Sequence, residues 1–162
     1  LQWDAAMSGT PHPSVTGVPT GRSPRPRGIH DGIMSLPALT DDGLRFISEY
    51  HLATLSTMGP GRGIHVVAVG FTFVDGVVRI ITSDGSQKVR NIERDGRATV
   101  AQLSGPQWLS IAGTGVIERD AEAVAHAVSL YAARYRQPRP NPRRVVVRIT
   151  PEKALGSAGL WQ

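Results

Sequence analysis

From residue 34 onward the apolar positions fall into short periodic blocks, whereas residues 1–33 show no such period and carry Pro11, Pro13, Pro19, Pro24 and Pro26 among glycines and polar side chains. A segment of that composition cannot bury a core. Residues 1–33 are therefore expected to form a disordered arm and residues 34–162 a single folded domain. Thr40-Asp41-Asp42 offers an N-cap followed by acids that complement a helix dipole. Leu44, Ile47 and Tyr50 then recur at helical spacing, predicting a helix over 41–50. Leu52–Thr57 reads as a strand, Gly59-Pro60-Gly61-Arg62-Gly63 as a turn and Ile64–Val74 as one long strand. Asp75-Gly76 signals a two-residue hairpin into a strand over Val77–Thr82, completing an expected antiparallel meander.

Ser86–Arg94 reads as a short helix opened by a hydroxyl cap, and residues 97–103 and 107–117 read as a strand pair turned at Gly105-Pro106. Asp120 caps a clearer helix, in which Val124, Val128, Tyr131 and Tyr135 share one face. Arg144–Thr150 is a valine-rich last strand that Pro151 is expected to end. No connection has the form that parallel pairing requires, so the pattern predicts a mainly β chain with short helices: a small antiparallel barrel with helices at its openings.

The length of 162 residues suits one domain with its own core. Cysteine is absent, which excludes disulfides, thiolate nucleophiles and iron–sulfur or Cys-based zinc sites, so redox chemistry would require a bound organic cofactor. Neither a membrane-length apolar run nor a secretory leader is visible, and a cytoplasmic protein without membrane contact is expected. The net charge of +5 favours anionic partners without choosing between nucleic acid and a phosphorylated small molecule.

The chain has no HExxH, GxSxG or P-loop, and His51, His65 and His126 are not spaced as metal ligands; no metal and no catalytic side chain are singled out. The glycine-rich turn at 59–63 leads into a strand instead of a helix and offers no N-terminus for a pyrophosphate. The segment Ile80 to Asn91 is more informative. A strand end, a small-residue turn and a new helix with Ser86 and Lys88 at its start place free N–H groups, a hydroxyl and a positive charge together, as a phosphate cradle requires. An ordinary N-cap serine beside a solvated lysine fits the same residues. Arg134, Arg136, Arg139, Arg143 and Arg144 are interleaved with Pro138, Pro140 and Pro142, which hold the loop extended and can present guanidinium groups to one anion. A solvated basic loop is the plainer reading. Trp108 is either core or a cofactor platform.

From about Leu39 to Leu160 the chain resembles the flavin/deazaflavin oxidoreductase superfamily, within it most nearly the actinobacterial biliverdin reductases that use coenzyme F420. The resemblance is carried by His65-Val66-Val67-Ala68-Val69-Gly70-Phe71-Thr72-Phe73, by Gly85-Ser86-Gln87-Lys88, by Gln107-Trp108-Leu109-Ser110, and by Arg134-Tyr135-Arg136 with Arg139-Pro140-Asn141-Pro142-Arg143-Arg144-Val145-Val146. It implies the pyridoxamine-phosphate-oxidase-like, FMN-binding split β-barrel, antiparallel and working as a homodimer with cofactor sites at the subunit interface. The implied cofactor residues are His65, Val66, Val67, Ala68, Val69, Ile81, Thr82, Ser83, Ser86, Gln87, Lys88 and Asn91, with Trp108 supplied by the partner subunit. Arg134, Arg136, Arg139 and Arg143 are implied substrate clamps, for the propionates of the tetrapyrrole or, alternatively, for the cofactor's glutamate tail. The implied reaction is hydride transfer from reduced coenzyme F420, an 8-hydroxy-5-deazaflavin, to the central methine of biliverdin, a small tetrapyrrole, giving bilirubin.

FMN on the same fold is an alternative cofactor, since a phosphate cradle serves either, and a non-catalytic cofactor carrier would look alike in sequence. Val69-Gly70-Phe71-Thr72-Phe73-Val74 partly matches the aromatic strand of RNA-recognition domains, but it lacks the leading basic residue and the order of elements differs, so no nucleic acid partner is expected.

Overall fold

In the computed structural model the described residues are 39–161; the arm expected over 1–33 and its boundary with the domain lie outside them. The elements run α1 (Asp41–Ser48), β1 (Ala53–Met58), β2 (Ile64–Val69), β3 (Thr72–Val74), β4 (Val77–Ser83), α2 (Gln87–Arg94), β5 (Arg97–Ser104), β6 (Gln107–Glu118), α3 (Ala121–Arg134) and β7 (Arg144–Gly156). A single 3-10 turn at Pro60–Arg62 fills the expected glycine-rich turn.

All seven strands pair antiparallel in the order β2-β1-β5-β6-β7-β4-β3. The consecutive strands β2 and β3 are thus the two free edges. A flat sheet of this size would hold its edge strands about 29 Å apart at normal strand spacing, whereas the three Cα–Cα steps from Val69 to Thr72 reach about 11 Å at most. The sheet therefore curls until its edges nearly meet, which makes it a split barrel.

The single strand expected over Ile64–Val74 is broken at Gly70-Phe71, and the meander is corrected with it: β2 pairs only with β1, while β3 pairs with β4 at the other edge. The cause lies far along the chain. A Cβ at Gly70 would lie 2.8 Å from Tyr131 Cε2 and 3.1 Å from Tyr135 Cε2, so the tyrosine rings occupy the space of a side chain there. At the break the Phe71 N–H donates to the Tyr135 hydroxyl at 3.2 Å, and that hydroxyl donates to the His51 carbonyl at 2.8 Å. A side chain thus replaces the ladder at backbone groups that would otherwise be unpaired.

Pro151 does not end the last strand. β7 continues to Gly156 because Gly113 pairs with Pro151 and Ala112 with Lys153, leaving Glu152 as an extra residue in a bulge. A bulge is where a strand tolerates a residue without an N–H. A Cβ at Gly113 would fall 2.0 Å from the Thr150 carbonyl oxygen, so this crossing requires glycine.

The hairpin signal at Asp75-Gly76 is realised with positive φ at both residues, 54° and 71°. Thr40 and Asp120 cap α1 and α3 by accepting from the Gly43 and Ala123 N–H groups at 3.1 and 2.8 Å. Alternating residues of the strands fill the interior with Leu55, Ile80, Val100, Leu109, Ile111 and Ile149, joined by Phe71 from the break between β2 and β3, all buried. Among the described residues no helix is long and apolar enough to cross a membrane.

Candidate functional site

Because the chain passes from one sheet edge to the other at Gly70, the end of β2 lies beside the end of β4, and a cleft of about 310 Å³ opens there. Ala68, Val69 and Gly70 form one wall and Ile81, Thr82 and Ser83 another; Lys88 enters from α2, Tyr131 from α3, and Pro138, Asn141 and Arg144 from the arginine–proline loop. Two cations line it and no carboxylate does. The Lys88 ammonium donates to Thr82 Oγ1 at 3.2 Å, and burial lowers its pKa from the ordinary lysine value. Arg144 reaches the cleft because its register partner is Ser83, the last residue of β4. One of its N–H groups donates to the Arg139 carbonyl at 2.5 Å, which leaves most of the guanidinium donors free.

The turn from β4 into α2 is held from outside. Gly85 sits at φ +71°, and the Asp84 N–H donates to the Arg143 carbonyl at 2.7 Å while Arg143 Nη2 donates back to the Asp84 carbonyl at 2.8 Å. Arg119 grips the Asp84 carboxylate with two nitrogens, at 2.8 and 3.0 Å, and Glu93 with one, at 2.6 Å. The Arg119 hydrogen bond holds Asp84 below the ordinary carboxylate range. Ser86 occupies the N-cap position of α2 without capping it, and its buried Oγ has no hydrogen-bond partner among the described residues. The first turn of α2 is thus left without a side-chain acceptor.

Of the residues implied by the resemblance, Ala68, Val69, Ile81, Thr82, Ser83 and Lys88 meet in the cleft. His65 and Val67 lie further back on β2, and Val66 points out from the sheet. Gln87 and Asn91 bond each other at 2.7 Å; Asn91 is fully buried and donates to Thr57 Oγ1 at 3.0 Å, so its amide fastens α2 to β1 instead of facing the cleft. Thr57 Oγ1 in turn stands 3.5 Å from His65 Nδ1. Trp108 is exposed on the outer sheet face, away from the residues that line the cleft.

The arginines separate. Arg134 is withdrawn into the protein: it donates to the carbonyls of Glu49 and Phe71 and to Gln102 Oε1, and its guanidinium lies over the rings of Phe71 and Tyr135 at 4.4 and 4.9 Å. Arg143 grips the Asp84 turn, while Arg136 and Arg139 are exposed on the loop. Gly70, Tyr131, Pro138, Asn141 and Arg144 are cleft residues absent from the set implied by the resemblance.

Residues 39–157 match the pyridoxamine 5'-phosphate oxidase family. A biliverdin reductase of Mycobacterium tuberculosis (strain CDC 1551 / Oshkosh), named as dependent on reduced coenzyme F420, is 50% identical over 124 residues, covering 75% of this chain and 90% of the relative. Among solved structures, a conserved hypothetical protein of the same species aligns with a TM-score of 0.66 at 23% identity, over 78% of this chain and 86% of its own. An F420 reductase aligns with a TM-score of 0.59 at 21% identity, over 68% and 94%. The two structural likenesses show the fold, and the sequence match across nearly all the described residues shows the lineage: the chain belongs to the pyridoxamine 5'-phosphate oxidase family.

Proposed function

We propose that the protein is a coenzyme F420-dependent reductase acting on biliverdin, with its cofactor in the cleft between the ends of β2 and β4. The observation that carries this is the donor set around the cleft: Lys88 and Arg144 line it without a carboxylate, while at the start of α2 the Ser86 hydroxyl is unpartnered and the helix uncapped. A cofactor that carries a phosphodiester and carboxylates suits such donors. The kinship with a reductase of that name supports the choice of F420 over FMN and of biliverdin over other acceptors.

When bound, the deazaflavin supplies the hydride. Lys88, Arg144 and the first N–H groups of α2 would hold its anionic tail, and Ala68, Val69 and Ile81 would offer an apolar wall to its ring. The protein contributes placement and exclusion of water, with no covalent catalyst. Arg136 and Arg139, exposed on a proline-stiffened loop, face solvent where the carboxylates of a tetrapyrrole can reach them.

The active form in this reading is a cytoplasmic homodimer. The outer sheet face carries Ile64, Val66, Leu103, Trp108 and Leu155, with the first four exposed by 72, 54, 61 and 42%, around the small residues Ser56, Thr99, Ala101 and Ala112. Exposed apolar side chains grouped on one sheet face call for a partner, and a second copy seated there would bring its Trp108 toward the cofactor. Fluorescence titration with oxidised F420 and with FMN tests the site: F420 binding is expected, and binding of FMN alone would overturn the cofactor assignment.

A further inference from the structure

Two tyrosines one helical turn apart, Tyr131 in α3 and Tyr135 at its C-cap, stack with ring centroids 4.9 Å apart, yet their hydroxyls differ. That of Tyr135 is spent on the backbone: it accepts from the Phe71 N–H and donates to the His51 carbonyl. That of Tyr131 has no hydrogen-bond partner among the described residues, and Tyr131 lines the cleft. The other polar heads there are at least partly engaged by the protein: Lys88 with Thr82, Asn141 with Ser83 at 2.8 Å, and Arg144 with the Arg139 carbonyl.

The Tyr131 ring is also held in place. Tyr135 packs against it, and bare backbone at Gly70 lies against the edges of both rings, where a Cβ would come within 2.8 Å of Tyr131 Cε2 and 3.1 Å of Tyr135 Cε2. A phenol fixed in this way has already lost its rotamer freedom on folding, so a hydrogen bond it makes to a ligand carries little further ordering cost. Packing alone needs only the ring, and phenylalanine would supply it.

We infer that Tyr131 is a binding and positioning residue of the cleft, its hydroxyl donating a hydrogen bond to an acceptor oxygen or nitrogen on the planar ligand held there. This rests on the cleft being the cofactor site proposed above, and two variants of the full chain keep the two ideas apart. Tyr131→Phe and Tyr135→Phe are each titrated with oxidised F420 by fluorescence and melted without ligand. For Tyr131→Phe the dissociation constant is expected to rise about tenfold, the loss of one good hydrogen bond, with an unchanged melting temperature. Tyr135→Phe is expected to lower the melting temperature and to weaken binding much less. Wild-type affinity in Tyr131→Phe would overturn the inference and leave the cofactor site standing. Failure of the wild-type protein itself to bind F420 would overturn both.

Discussion

The ammonium of Lys88 makes one hydrogen bond to the protein, to Thr82 Oγ1 at 3.2 Å, and shares its cleft with no carboxylate. A half-buried cation in that position is disfavoured until an anion arrives. Lys88→Met is therefore expected to weaken F420 binding by roughly ten- to a hundredfold, the 1.5–3 kcal/mol of a charge-assisted hydrogen bond, with arginine restoring part of it.

The same burial sets a pH dependence. Since burial lowers the folded-state pKa of Lys88 below the ordinary 10.5, the unliganded protein holds fewer protons than the unfolded chain as pH rises into that window, and this group then adds to stability. Anion binding runs the other way. The affinity for F420 is expected to decline with rising pH before 10.5 is reached, and in Lys88→Arg, whose side chain stays charged, that decline should disappear from a titration series.

Arg134 is expected to behave as a structural residue. Its removal leaves the buried Gln102 Oε1 without its donor and takes one of two donors from each of the carbonyls of Glu49 and Phe71, which keep the His51 N–H and the Tyr135 hydroxyl. Arg134→Met should cost about 1–3 kcal/mol in urea denaturation, as an unpaired buried acceptor does, while the folded protein keeps the wild-type KM for biliverdin. A raised KM with unchanged stability would return Arg134 to the substrate site.

What the sequence makes legible here is local. The caps at Thr40 and Asp120, the Asp75-Gly76 hairpin and the turn into α2 are each written in a few neighbouring residues, and each forms where its residues predict. The break at Gly70-Phe71 depends on a hydroxyl 64 positions after Phe71, and the passage of β7 through Pro151 depends on a glycine in the facing strand. Neither is a periodicity. In the candidate site the same limit appears chemically: a polar residue near a cradle reads alike whether it faces a ligand or is buried against its own protein. Asn91 and Arg134 fall in the second class. Arg144 was hidden in a run of arginines, and only its register with Ser83 directs it to the cleft.

The clip from Arg119 to Asp84 and Glu93 fixes the turn that opens α2. Arg119→Gln is expected to raise the KM for reduced F420 several-fold and to leave kcat nearly unchanged, since it loosens the cradle and not the reacting groups. Below about pH 4 Asp84 resists protonation because of Arg119, so the clip should survive until the pH falls through that lowered value; cofactor affinity measured down an acid series reports its opening.

The apolar outer face makes the oligomeric state predictable. Sedimentation at micromolar concentration should give a dimer, and Ile64→Glu with Val66→Glu should give folded monomers that bind F420 poorly. A wild-type monomer would remove both the interface and the role of Trp108 in the neighbouring site.

The central claim is tested most directly by turnover: purified protein with excess reduced F420 and biliverdin, followed by absorbance for loss of biliverdin, appearance of bilirubin and oxidation of the cofactor. One bilirubin formed per cofactor oxidised, at a rate greatly reduced in Lys88→Met at subsaturating cofactor, is the predicted result. Binding of F420 without bilirubin formation would contradict the assigned reaction, and turnover indifferent to Lys88 would contradict the assigned cleft.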